Sequence, residues 1–230
     1  MLAIPPARIS LNVQNQPVAI TVSGSVSGVA TDRDAAAFRI ALTADLSGLQ
    51  QDITTLLSSQ LNRSDKCGER LTIDRAMLVP RAPGSLLTAY LHYEKWACAK
   101  VFGKNVVKRL VGGNGVIAVG LTPSVEADRA IRLQSEIESI QADGSLGEIL
   151  RSGSLGPTLR EKIRTTLASA MDKAKLEASI PAELQPVAVI QSAQFADRAG
   201  RLCLDLSGEV RISADQLRSL IDQRKPIAPQ

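Results

Sequence analysis

Residues 43–62 read TADLSGLQQDITTLLSSQLN, and within them the chain changes period. Leu46, Leu49, Ile53, Leu56, Leu57 and Leu61 fall at offsets of 0, 3, 7, 10, 11 and 15, a single stripe on a 3.6-residue helix. Thr43 is a suitable N-cap for it. Gly48 inside such a helix costs about 1 kcal/mol against Ala, which predicts a packing reason for its presence.

On the N-terminal side the pattern is that of strands. Ile9-Leu11-Val13, Val18-Ile20-Val22 and Phe38-Ile40-Leu42 alternate with polar residues, and Gly24, Gly28 and Thr31-Asp32-Arg33-Asp34 punctuate them. On the C-terminal side strands return with Leu71-Ile73 and Met77-Val79, a turn at Arg81–Gly84, and a strand over 86–102. Gly112-Gly113-Asn114-Gly115 marks a further turn, followed by strands over 116–121 and 130–140. The result is a meander of about four strands.

A second long helix begins at Pro157 and places Leu159, Ile163, Leu167, Ala170, Met171 and Ala174 on one side. Then come strands over 187–195 and 202–206, joined at Ala199-Gly200, and a short last helix opened by the capping box Ser213-Ala-Asp-Gln216. Strands before helices, without regular βαβ alternation, predict an α+β chain with antiparallel sheet. We expect one wrapped domain, residues 17–111 and 112–224 forming its halves and 225–230 a flexible tail.

Composition narrows the function. The 230 residues are 44% apolar and carry a net charge of +4, enough for a sizeable core and only mildly basic. With 3% aromatics the chain lacks the stacking surface of a nucleic-acid binder. No run of about 18 apolar residues is present to span a bilayer as a helix. The first residues, MLAIPPARISLNV, do not form a signal peptide, so the chain is cytoplasmic or a signal has been removed.

Catalytic groups are sparse. His92 is the sole histidine, set on a strand with no nucleophile elbow around any Ser. No CxxC or HxxxH spacing supports zinc. The glycine run is followed by neither Lys-Ser nor Lys-Thr, which argues for a turn over a phosphate cradle. Hydrolysis by two carboxylates stays open, but no spacing singles out a pair. We therefore expect no enzyme, no metal and no cofactor.

Cys67 and Cys98 are symmetric about the 81–84 turn, because 67 + 98 = 81 + 84, so a hairpin closed there sets them opposite each other. A cross-strand disulfide and two free thiols are both compatible with this, since a bulge would change the register. The bridge would imply an oxidising compartment, and so a periplasmic or exported protein. The segment Tyr93-Glu-Lys-Trp-Ala-Cys-Ala-Lys-Val-Phe-Gly-Lys104 draws attention next. Trp96 and Phe102 sit among Lys100, Lys104, Lys108 and Arg109, the mixture found at membrane interfaces; the alternatives are a solvated strand end or contact with a protein partner.

The order of elements resembles the tubular lipid-binding superfamily, which includes the bactericidal permeability-increasing and synaptotagmin-like mitochondrial lipid-binding groups. The residues that carry the likeness are Leu46–Leu57, Leu159–Met171, Ile180–Ile190 and Leu202–Leu206. That resemblance implies a long, curved antiparallel sheet wrapped around two long amphipathic helices. It further implies a channel for acyl chains or another hydrophobic ligand, lined by Leu46, Leu49, Ile53, Leu56, Leu57, Leu159, Ile163, Leu167 and Met171. The function expected from it is non-enzymatic binding or transport of a lipid in the bacterial envelope. The alternative is a structural or interaction module of an envelope assembly.

Overall fold

The stripe starting at Leu46 does form a helix, but a shorter one than its pattern suggests. In the computed structural model, which describes residues 1–13, 16–29, 35–62, 67–102, 104–126, 131–151, 161 and 188–213, α1 covers Ser47–Leu61. Thr43, the expected N-cap, belongs to a strand and pairs with Ser23 and Asp205. The first turn is instead served by Asp45, whose carboxylate accepts the Ser47 N–H at 2.9 Å.

Nine strands make up most of the described chain. β1 (Leu2–Val13), β2 (Gln16–Val29), β3 (Ala35–Asp45), β9 (Arg201–Ser213) and β8 (Ala188–Arg198) form one antiparallel sheet in that order. β4 (Gly68–Arg81), β5 (Gly84–Val101), β6 (Lys104–Val125) and β7 (Ile131–Ala142) form a second, a simple meander. A second helix, α2 (Gly144–Arg151), follows β7. Antiparallel sheets of this kind need only tight turns, and Ala199-Gly200 supplies one, with φ of 57° and 79° in the left-handed region that two-residue hairpins use.

This corrects the expected architecture. The described chain is mostly β, with two sheets and two short helices, and no sheet wraps around two long amphipathic helices. The expected second helix from Pro157 and the last helix after Ser213 lie outside the described residues, while Ser213 itself ends β9. The expected boundary between the halves, 111/112, falls inside β6.

Glycine explains several of the errors. β2 runs through Gly24 and Gly28, and β6 runs through 112–115, so these are not turns. A Cβ at Gly24 would collide with the Ala41 carbonyl of the neighbouring strand. At Gly113 it would stand 2.6 Å from the Asp143 carbonyl and 2.8 Å from Leu146 Cβ, where α2 folds back onto β6. At Gly24 and Gly113 glycine marks the close approach of another backbone. Gly48 follows the same logic and meets its expectation, since a Cβ there would lie 2.5 Å from the Ala19 carbonyl of β2.

The core joins both sheets through α1. Leu46, Leu56, Leu57 and Leu61 are buried, with Leu49 and Ile53 packed alongside, against Val18 and Ile20 of β2, Leu202 and Leu204 of β9, and Ile73 and Leu78 of β4. Each such aliphatic side chain contributes about 1.5–3 kcal/mol. The adjoining flank of α1 is polar and equally engaged. Gln50 donates to the Leu78 carbonyl (3.0 Å) and accepts from the Leu202 N–H (2.7 Å). Thr54 donates to the Ala76 carbonyl (3.0 Å) and accepts the Ala76 N–H (2.9 Å). Ser58 donates to the Ile73 carbonyl (3.2 Å), and Asn62 accepts the Ile73 N–H (2.7 Å). Side chains at every fourth residue thus satisfy the outer edge of β4, an edge that would otherwise expose unpaired backbone.

Candidate functional site

The cysteine expectation holds, with one adjustment. β4 and β5 pair as the 81–84 turn requires as far as Arg75 opposite Tyr90, after which a bulge at Asp74 shifts the register by one. Gly68 therefore faces Trp96, and Cys67 closes onto Cys98 by a bend at the end of β4; the Cα atoms are 5.7 Å apart and the disulfide is formed. Cys203 is free and buried. A disulfide is compatible with an oxidising compartment. No described helix is long and apolar enough to cross a membrane.

Beyond that disulfide β5 and β6 continue as a two-stranded ribbon. The last β4 residue in the sheet, Gly68, faces Trp96, and β7 joins β6 only from Gly115 onward. Ala97–Val101 and Lys104–Lys108 therefore pair with each other and with no other described strand. Five residues of strand project about 17 Å. Phe102 at the turn is fully exposed, with φ of 48°, and Val106, Val107 and Leu110 are half exposed. Between Ala97 and Leu110 the sequence holds three Lys, one Arg and no acidic residue. Alternation sends Lys100 and Val107 to one side of the ribbon and Lys108 and Val106 to the other. Both faces are mixed, so the ribbon presents its tip and not one flat side.

The six residues expected at a membrane or partner contact divide in two. Lys100, Phe102 and Lys108 are exposed on the ribbon, and Lys104 opens β6 opposite Val101 at its tip. Trp96 and Arg109 sit at the root, bound to Glu94. The Trp96 indole N–H donates to the Glu94 carboxylate at 2.9 Å, while the Arg109 guanidinium lies 3.3 Å from it. Arg70 stands 5.1 Å above the Trp96 ring. These groups anchor the ribbon.

His92 belongs to the same network. Asn114 turns its amide nitrogen to Asp143 (3.4 Å) and its oxygen to His92 Nδ1 (2.8 Å), so Nδ1 carries the proton and donates. His92 Nε2 lies 3.4 Å from Glu94. The Asn114 hydrogen bond raises the His92 pKa, burial opposes it, and Glu94 adds to the rise. Glu94 is held low, first by the Trp96 hydrogen bond and then by His92 and Arg109, against burial. Neighbouring Tyr93 points the other way, into the core, where burial and then Glu69 push its phenol well above the usual range.

Of the residues expected to line a ligand channel, five belong to the described residues. Leu46, Leu49, Ile53, Leu56 and Leu57 all pack in the core described above. Leu159, Ile163, Leu167 and Met171 lie outside the described residues. Among the described residues no three His, Cys, Asp or Glu side chains converge on a metal position. Sequence reasoning missed Arg70, Glu94 and Asn114, whose roles depend on strand register; the alternation Tyr90, His92, Glu94, Trp96 on β5 was the available signal.

Comparison with protein-family models, curated proteins and solved structures found no match for this chain.

Proposed function

We propose that this chain is a non-enzymatic, exported module that docks onto anionic membrane surfaces through the tip of the β5–β6 ribbon. The observation that carries this reading is the projecting end itself, an acid-free strand pair bearing Lys100, Lys108 and a fully exposed Phe102. Cations near an anionic headgroup layer contribute about 1 kcal/mol each, and an aromatic at the same depth adds apolar burial. The Cys67–Cys98 bridge ties the ribbon to β4 at its base, which keeps a two-stranded element ordered in water, where isolated hairpins are marginal. It also supports an exported location.

The reading departs from ligand transport because the α1 stripe packs against the protein's own side chains. A second reading, docking onto an envelope protein, draws on the ribbon's edges, which pair with no other described strand and so suit strand addition.

Co-sedimentation with vesicles of pure phosphatidylcholine, and of phosphatidylcholine mixed with phosphatidylglycerol, tests the proposal. The wild type should bind the anionic vesicles, with affinity falling as salt rises. Replacing Lys100, Lys104 and Lys108 by Gln should weaken binding about hundredfold, from the loss of about 3 kcal/mol. Absence of binding to anionic vesicles, or equal binding by wild type and variant, overturns the membrane reading.

A further inference from the structure

Away from the ribbon, a trough crosses the four-stranded sheet. Its lining takes a short stretch from each strand: Asp74 at the β4 bulge, Tyr90 on β5, Asn114 to Val116 on β6 and Gln141 to Asp143 at the end of β7. Tyr90 faces Val116 across one ladder and Val116 faces Gln141 across the next, so these three form a single row perpendicular to the strands. Gly115 beside them adds no side chain. The volume is about 560 Å³ and the trough is open to solvent, a size at which pockets take small molecules.

The residues that line the trough include no Lys, Arg or His, and the cation beside it, Arg75, is set over the Tyr90 ring. Asp143 is already occupied, accepting the Asn114 backbone N–H at 2.7 Å and its side-chain amide at 3.4 Å. By contrast the Asp74 carboxylate, the Gln141 amide and the Tyr90 hydroxyl hold no hydrogen bond or ion pair among the described residues. They supply an acceptor, a donor with an acceptor, and a group able to act as either. Between them run the Tyr90 ring and Val116, an apolar strip. Arg75 stands 5.8 Å over the Tyr90 ring and steadies it.

We infer that this trough binds a neutral saccharide. A sugar ring presents an apolar C–H face, which suits the Tyr90–Val116 strip. Its rim of hydroxyls both donates and accepts, which uses Asp74, Gln141 and Tyr90 together. A simple amine would engage Asp74 and leave the other two without a role. The site is separate from the ribbon and does not rest on the membrane reading.

The test is an amide-correlation NMR titration of the intact chain with cellobiose, maltose, lactose and chitobiose, with spermidine and inorganic phosphate as controls. At least one disaccharide should produce saturable shifts at Asn114, Gly115, Val116, Gln141 and Ala142. Tyr90→Ala should weaken that binding about tenfold, equivalent to about 1.4 kcal/mol. Gln141→Ala, a change at an exposed position, provides a second variant in which affinity should fall while the rest of the spectrum stays unchanged. Saturable shifts with none of the four sugars, binding by spermidine or phosphate in their place, or undiminished affinity in both variants would overturn the inference.

Discussion

The α1–β4 seam and the outer end of β5–β6 both contain strand edges, and the protein treats them in opposite ways. At the seam, Gln50, Thr54, Ser58 and Asn62 give every exposed group of the β4 edge that they reach a hydrogen-bond partner. On the ribbon the edges of Ala97–Val101 and Lys104–Lys108 meet no described strand, and cations flank them. Lysines on an edge discourage pairing with another copy of the chain while leaving it accessible. Polar side chains thus close one edge, while the other, flanked by cations, meets no described strand and is the better suited to an outside partner.

Three perturbations test that contrast, and the strongest acts at the ribbon's root. Replacing Cys67 and Cys98 by Ala removes a bridge of sequence separation 31 and should lower unfolding stability by about 3–4 kcal/mol through the entropy returned to the unfolded chain. Guanidinium denaturation of both forms measures it. A loss under about 1 kcal/mol would mean that the Glu94 network holds the ribbon without the disulfide.

Next in size is Thr54→Val, which keeps the shape of the side chain and deletes both hydrogen bonds to Ala76. Stripping two half-buried backbone groups of their partner should cost about 1–3 kcal/mol with an unchanged denaturant slope. Vesicle binding by this variant should match the wild type, since the seam and the ribbon are independent. A parallel loss of binding would break the comparison.

The smallest effect is electrostatic. The His92 pKa is raised in the folded chain, first by Asn114 against burial and then with help from Glu94. A raised pKa means that the folded form holds its proton more firmly, so this stabilisation is complete below the unfolded value of 6.5 and disappears as pH rises through the folded one. Stability of the wild type relative to His92→Gln should therefore be greater at acid than at alkaline pH. Denaturation series across that range check the sign, and a difference independent of pH would remove His92 from the network.

Much of the outline is legible in the sequence. The β4–β5 turn, its two cysteines and the β8–β9 turn followed from symmetric spacing and from residues suited to tight turns. The α1 stripe was readable because helical burial repeats within a short window. The glycine run 112–115 was misread, because the same residues that permit a turn also permit another backbone to approach, and which one applies depends on what lies above the strand. At the ribbon, the composition of Lys100, Phe102 and Lys108 was visible and their projection was not. Projection follows from β4 and β7 ending early, a fact about neighbours. The trough had no sequence signal at all, since Asp74, Tyr90, Val116 and Gln141 are brought together only by register across four strands.

By itself, then, the sequence determined the local periods, two hairpin turns, the helix stripe and the nearness of Cys67 to Cys98 across one hairpin, all set by interactions between residues near in the chain or symmetric about one turn. Tertiary structure alone decided that β3 pairs with β9 some 160 residues away, as in Thr43 with Asp205, and that a polar helix flank seals one strand edge. It also decided that, among the described strands, the far end of β5–β6 pairs only with itself. Those outcomes depend on which surfaces meet, and burial rewards the meeting without leaving a periodic mark in either partner.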